Sequence, residues 1–265
     1  LVQILSVDDP DDPRLAPYRD VRERDLVGRQ GRFIAEGVVV LRAVARGGRH
    51  RLLSLLVDQK RIEALAPILA ELAPETSVYS AGQAVIDAVA GFHLHRGVLG
   101  LGERAAEPSP EALLADAAER AVVLVLMGVS NHDNIGGVFR NAAAFGAHGV
   151  LLDADCCDPL YRKAIRVSVG ATLVTPFARL ARDADPVALL ARFGFTSFAL
   201  SPSGETALSQ VVRPPRAAAL FGAEGPGLPD AILARTRTVR IAMAGGFDSL
   251  NVATTSGIVL HQLAD

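Results

Sequence analysis

Tryptophan is absent from this 265-residue chain, and cysteine, methionine and tyrosine are scarce, at two, two and three copies. The two cysteines, Cys156 and Cys157, are adjacent. They supply neither a disulfide framework nor a metal site, and a reducing cytoplasm is the expected compartment. Neither has a recognisable activating neighbour, so neither is assigned catalysis. Lysine is confined to Lys60 and Lys163, which leaves arginine to carry almost all the positive charge. No apolar run approaches the roughly 20 residues of a membrane-spanning helix, and Leu1 opens no basic-then-apolar leader. Internal repeats and low-complexity tracts are missing as well.

What is present is ordinary globular composition, 50% hydrophobic and 21% charged. The length suits one large or two small domains. A net charge of −2 argues against indiscriminate affinity for nucleic acid, but its distribution points the other way. From Arg14 to Arg51, ten arginines stand against Asp20, Glu23, Asp25 and Glu36, a local +6 that leaves −8 for the rest. That stretch is a candidate RNA contact. The competing reading is a solvated face in an arginine-rich protein.

Residues 1–18 are rich in Asp and Pro and are expected to be loosely ordered. Short apolar runs then alternate with helical patterns. Strands are expected at 33–36, 52–57, 78–79 and 97–101, with helices at 38–45, 62–72 and 83–90, a small α/β domain over residues 19–103. A linker over 104–119 carries Pro108 and Pro110 and a short helix capped by Ser109. A second α/β domain, 120–265, opens at Ala121-Val-Val-Leu-Val-Leu-Met127, apolar at every position as a strand covered on both faces should be. Further strands are expected at 149–152, 171–174, 196–200, 217–221 and 238–241, in a largely parallel sheet.

Three glycine-broken loops follow strands of this second domain. In parallel sheets that is where ligands sit. The first, Asn134-Ile-Gly-Gly-Val-Phe-Arg140, places Asn134 where a helix N-cap belongs, with Gly136 and Gly137 allowing close approach and Arg140 in the first turns. Exposed N–H groups beside an arginine suit a phosphate or a developing oxyanion; a capping Asn with packing glycines and a surface Arg is the bland alternative. The second, Gly222-Ala-Glu-Gly-Pro-Gly-Leu-Pro229, is neither a Walker loop nor a dinucleotide fingerprint, and Pro229 is expected at the first helical position. It could bring backbone to a flat adenine, or simply be a tight turn with Glu224 solvated or capping. The third, Ile241-Ala-Met-Ala-Gly-Gly-Phe-Asp-Ser-Leu-Asn-Val252, carries Ser249 as a potential cap for a helix over 250–263, whose Leu250, Ile258, Leu260 and Leu263 could pack inward.

Together and in this order, the three segments resemble the SpoU (TrmH) branch of the SPOUT RNA methyltransferases, over about residues 122–263. The pattern N-x-G-x-x-x-R is met by Asn134, Gly136 and Arg140, and G-x-E-x-x-G-L by Gly222, Glu224, Gly227 and Leu228. The third motif is met by Ile241, Met243, Gly245, Ser249, Leu250, Asn251 and Val252, with Ala242 where proline is usual. Tyr161-Arg-Lys-Ala-Ile-Arg-Val-Ser-Val-Gly-Ala171 is similar to an intervening family stretch. Gly31-Arg-Phe-Ile-Ala-Glu-Gly37 resembles the start of an L30e-like substrate-binding domain.

The resemblance implies an α/β fold with a C-terminal trefoil-knot domain, dimerisation through that domain, and S-adenosylmethionine as cofactor with no metal. It implies methylation of a ribose 2′-hydroxyl of rRNA or tRNA, with rRNA favoured. Gly222, Glu224, Gly227, Ile241, Met243 and Leu250 would hold the cofactor, and Arg140, Asn134, Ser249 and Asn251 would carry the chemistry. A non-catalytic RNA-binding protein that keeps the fold is the main alternative, and a dehydrogenase-like enzyme is disfavoured by the absent phosphate fingerprint. His93 and His95 read as a polar strand edge rather than a metal pair, and His132 and Asp133 as loop hydrogen-bonding groups rather than a general base.

Overall fold

The computed structural model describes residues 2–19, 23–91, 93–95, 97–245 and 249–264. Residues 20–22 of the arginine-rich stretch, Arg96, and residues 246–248 of the third motif lie outside the described set. The chain divides into two units, residues 1–105 with 158–174, and residues 106–157 with 175–265.

The first unit begins with β1 (Ile4–Ser6), α1 (Glu23–Gly28), β2 (Arg32–Glu36), α2 (Val38–Gly47) and β3 (Arg51–Asp58). It continues through α3 (Ile62–Glu71), β4 (Ser77–Ala81), α4 (Gln83–Ala90) and β5 (Val98–Glu103). The sheet runs β1-β4-β3-β5-β2; β1, β4 and β3 are parallel, and β5 is antiparallel to both β3 and β2. Phe33 of β2 stands opposite Gly102 of β5. A Cβ on Gly102 would lie 2.1 Å from the ring's Cζ, so the missing side chain is what lets the ring lie across β5.

The N-terminal segment departs from expectation. Instead of hanging loosely, it contributes β1 to the sheet edge and a 3-10 turn over Pro13–Tyr18 started by Asp12. Val7, Leu15 and Tyr18 are buried with Ile34, Leu56 and Ile86, and the Tyr18 hydroxyl lies 2.7 Å from Ser54 Oγ. Three apolar anchors outweigh the Asp/Pro composition that suggested a loose tail.

His50 is buried, and its Nδ1 accepts a hydrogen bond from Ala105 N at 3.0 Å. Burial, with Arg49 and Arg104 adding repulsion, pushes its pKa down to about 4. An unfolded histidine titrates near 6.5, so between those values the unfolded chain binds the extra proton. The stability contributed by neutral His50 is therefore complete above pH 6.5 and is lost as pH falls towards 4, by on the order of 2–3 kcal/mol. Urea midpoints at pH 7.5 and 4.5 should fall further for the wild type than for His50→Gln; equal falls would refute this role.

The second unit opens with α5 (Pro110–Ala115), β6 (Ala121–Leu126), α6 (His132–Ala144) and β7 (Gly149–Leu152). The α5 helix is capped by Ser109, whose Oγ accepts from Ala112 N at 3.1 Å. It buries Leu113 and Leu114 in this unit's core, so these residues pack rather than tether. The chain then returns to the first unit for α7 (Arg162–Val167) and α8 (Ala171–Val174). There Arg162 Nε donates to the buried Glu36 at 3.0 Å, and Arg104 Nη1 donates to Asp158 at 2.7 Å. The strand expected at 171–174 is thus a short helix: an apolar run of four has no period that separates the two.

Back in the second unit come β8 (Phe177–Arg179), α9 (Pro186–Arg192), β9 (Thr196–Leu200), β10 (Thr206–Ala207), β11 (Arg216–Phe221), α10 (Asp230–Leu233), β12 (Arg237–Arg240) and α11 (Val252–Leu263). The sheet order is β10-β12-β9-β11-β6-β7-β8, and every described pairing is parallel. All six residues of β6 are buried, as its unbroken apolar run requires. Val123 and Val125 join Leu113, Leu151, Leu190, Phe195 and Leu220 in one core cluster.

The α6 and α11 helices touch closely. A Cβ on Gly137 would come within 2.5 Å of the Ala253 Cβ, and Asn141 Nδ2 donates to Ala253 O at 2.6 Å and Ser256 Oγ at 2.9 Å. Leu260 and Leu263 of α11 are buried, whereas Leu250 and Ile258 are exposed, contrary to the inward packing expected for all four. No described helix is long and apolar enough to cross a membrane.

Candidate functional site

Strands β12, β9 and β11 are neighbours, and their carboxyl ends open into one cleft of about 460 Å³. That is within the roughly 300–1,000 Å³ of small-molecule sites. Leu200 and Ser201 enter from the end of β9, Gly222 to Gly227 from the loop after β11, and Ile241 and Met243 from the segment after β12. Ser249, Leu250, Asn251 and Thr255 close it from the start of α11. Eight sequence-selected residues meet here: Gly222, Glu224, Gly227, Ile241, Met243, Ser249, Leu250 and Asn251.

The second loop is held shut by its own backbone. Gly227 N donates to Ala223 O at 3.0 Å, and Gly225 and Gly227 have φ of 88° and 70°, where other residues are strained. A Cβ on Gly222 would lie 2.1 Å from the carbonyl carbon of Gly227, so this loop requires glycine there for close self-packing.

Asn134 does not line the cleft; it sits behind it. The α6 cap is Asn131, whose Oδ1 accepts from Asp133 N at 2.8 Å and Asn134 N at 3.4 Å, correcting the cap expected at Asn134. The shift by three residues puts the Asn134 carboxamide in the first turn, 4% exposed. There its Nδ2 donates to Glu224 Oε1 at 2.5 Å and its Oδ1 accepts from Asn251 Nδ2 at 2.7 Å. Asn251 in turn caps α11, accepting from Ala253 N at 2.9 Å and Thr254 N at 3.3 Å, the role expected of Ser249. One residue from each of the three motifs therefore forms a single relay, Asn251 to Asn134 to Glu224. Pro229 likewise lies at the cap of α10 rather than inside it.

Arg140 is exposed on α6, does not line the cleft, and makes no described ion pair. Cys156 is structural: its thiol donates to Leu126 O at 3.2 Å and accepts from Val129 N at 3.3 Å, and burial next to Asp153 pushes its pKa up to about 12. His93 lies in the loop before β5 rather than on a strand edge, with Nδ1 2.6 Å from Asp87. Among the described residues no group of His, Cys, Asp and Glu is arranged to hold a metal.

The Leu200-Ser201-Pro202 wall was missed in the sequence. Its signal was available, since Ser201-Pro-Ser-Gly204 follows a strand as the other loops do.

A parallel α/β sheet with a ligand-sized cleft at neighbouring strand ends has its candidate small-molecule site where open sheets of this kind hold ligands. The SpoU rRNA Methylase family matches residues 121–261, and this chain belongs to that family. An uncharacterized tRNA/rRNA methyltransferase of Mycobacterium bovis is 39% identical over 98% of this chain and 92% of its own length. One of Synechocystis is 29% identical over 98% of this chain and 93% of its own. Among solved structures, the AdoMet-bound rRNA methyltransferase of Sinorhizobium meliloti is similar with a TM-score of 0.83 and 23% identity, covering 98% of this chain and 97% of that one. AviRb of Streptomyces viridochromogenes, with AdoMet, has a TM-score of 0.76 and 21% identity, covering 94% and 95%.

Proposed function

We propose that this protein transfers a methyl group from S-adenosylmethionine to a ribose 2′-hydroxyl of RNA, with rRNA favoured over tRNA because a substrate-binding domain precedes the catalytic one. The observation that carries this reading is the convergence of eight motif residues on one cleft at the sheet's carboxyl edge.

The cleft fits the cofactor. Leu200, Ile241, Met243 and Leu250 offer apolar walls for a flat base, the glycine loop offers backbone groups, and Glu224 offers a carboxylate suited to an amine. When bound, the cofactor supplies an electrophilic methyl group. The relay from Asn251 through Asn134 to Glu224 ties the three loops into one cleft geometry, as in-line transfer demands. This revises the role expected for Asn134: its carboxamide is engaged on both sides and acts as a positioning group. Ser249, at the cleft mouth, orients the ribose, and Asn251, engaged through Nδ2 with Asn134 and through Oδ1 as the α11 cap, is a second positioning group.

Arg140 is unsuited to accept a proton, since guanidinium stays charged. Its role is to bind the adjacent phosphate and stabilise the emerging alkoxide. Arg140 lies outside the cleft of its own chain; as the resemblance to the family implies, it would serve the site of a second copy, in a homodimer formed through the second unit. Threading of the last strands and helix through an earlier loop, as a trefoil knot formed around 222–228 and 241–263, an L30e-like first domain with RNA contact from Arg14 to Arg51, and action in the cytoplasm complete the proposal.

Leu250 is 43% exposed on the cleft wall, so Leu250→Arg fills the cleft without disturbing the core. Calorimetric titration with S-adenosylmethionine should give saturable binding for the wild type and at least a tenfold loss for the variant. Wild-type protein that binds no cofactor with or without RNA would favour the non-catalytic RNA-binding reading.

A further inference from the structure

The first unit carries a cleft of its own, about 390 Å³, lined by Val38, Val39, Val40, Arg61, His95, Arg166 and Val169. Among the described residues, no acidic side chain lines it. Arg61 is pre-positioned: its Nη2 donates to His95 O at 3.1 Å, and its side chain lies across Gly97, where a Cβ would come within 2.7 Å of Nε. One donor is engaged, and the remaining guanidinium edge is available to a ligand. Arg166 is exposed and has no described ion pair.

Val169 is the second observation. Its φ of 56° makes it the one non-glycine residue with positive φ among the described residues. It directly follows the cap of α7, with Val169 N bonded to Arg166 O and Gly170 N to Ile165 O. At that left-handed position glycine is the usual residue, and a β-branched side chain is strained. The strained side chain is not spent on the core: it is 36% exposed and faces the cleft, beside Val39 at 57%. Strain held at an exposed position on a cleft wall points to a ligand rather than to packing.

We propose that this cleft seats one nucleotide of a single-stranded segment of the RNA, with its phosphate between Arg61 and Arg166 and its base or ribose on Val39 and Val169. Two cations facing an apolar floor, with no anion, complement a nucleotide, whose charged and apolar parts are separated in the same way. The proposal rests on the RNA reading above and adds to it two arginines, Arg61 and Arg166, outside the arginine-rich stretch.

The test is fluorescence anisotropy of full-length protein with a short labelled single-stranded RNA, run alongside cofactor calorimetry on the same preparations. Arg61→Ala combined with Arg166→Ala should weaken RNA binding at least tenfold and reduce the salt slope by about 1.4, as loss of two phosphate contacts on a single strand requires. Val169→Gly should weaken binding several-fold while its Tm stays level or rises, an outcome that a merely structural role would not give. Wild-type RNA affinity in both variants, or displacement of the RNA by poly-glutamate at equal charge, would overturn the proposal. Absent cofactor binding in the wild type, both with and without RNA, would sink the methyltransferase reading instead, and would leave the anisotropy result intact.

Discussion

Asn134→Asp is expected to reduce methyl transfer about a hundredfold, a barrier change of roughly 3 kcal/mol. The substitution keeps the shape and the oxygen that accepts from Asn251, but it replaces the donor facing Glu224 with an acceptor. Two carboxylate oxygens cannot remain 2.5 Å apart unless one carries a proton. The first and second motif loops must then separate or share that proton, and the cleft loses its alignment. Combining the substitution with Glu224→Gln restores a donor across the gap, so activity should recover in part, falling short of the wild type by what the Glu224 carboxylate contributes to holding the cofactor's amine; a double-mutant cycle reads the coupling directly. Full activity in the single variant, or no recovery in the double, would contradict the relay. Tm should fall by only a few degrees in the single variant, since the contact ties loops rather than core.

Gly222→Ala is expected to abolish cofactor binding and lower stability. Its Cβ would sit 2.1 Å from the carbonyl carbon of Gly227 and 2.3 Å from Leu228 N, which are backbone atoms with no rotamer to yield. Relief requires the loop to open, and overpacking of this kind costs about 1–3 kcal/mol. That opening also moves Glu224 away from Asn134. Calorimetry should show at least a hundredfold weaker S-adenosylmethionine binding, and the urea midpoint should fall with an unchanged m-value. Gly225→Ala makes an informative comparison: no atom lies within 4 Å of the added Cβ, and only its φ of 88° opposes the change. A smaller effect there than at Gly222 would attribute the loss to close self-packing rather than to backbone strain.

Much of this protein was legible in one dimension. The run from Ala121 to Leu126 announced a strand buried on both faces because a central parallel strand leaves no room for alternation. Glycine-opened loops after strands announced where the cleft would be, and eight of the chosen residues do line it. The SpoU family was legible for the same reason, since its motifs lie in those loops. The sequence by itself therefore determined the α/β class, five of the seven strands of the second sheet (β6, β7, β9, β11 and β12), and the residue types at the ligand edge.

Only the tertiary structure decided how those residues divide their work. Asn134 read as a cap because local spacing cannot distinguish a cap from a first-turn residue; Asn131, three positions earlier, takes that role and frees Asn134 for Glu224, 90 residues away. Asn251 displaced Ser249 as the cap of α11 in the same way. Residues 1–18 read as a loose tail, yet Val7, Leu15 and Tyr18 found partners distant in sequence. Residues 158–174, embedded in the middle of the second motif series, joined the first unit through Glu36 and Arg104. Each of these outcomes depends on which surfaces meet across long sequence separation. Local propensity and spacing carry no information about that, whereas burial and hydrogen-bond satisfaction in the folded chain determine it.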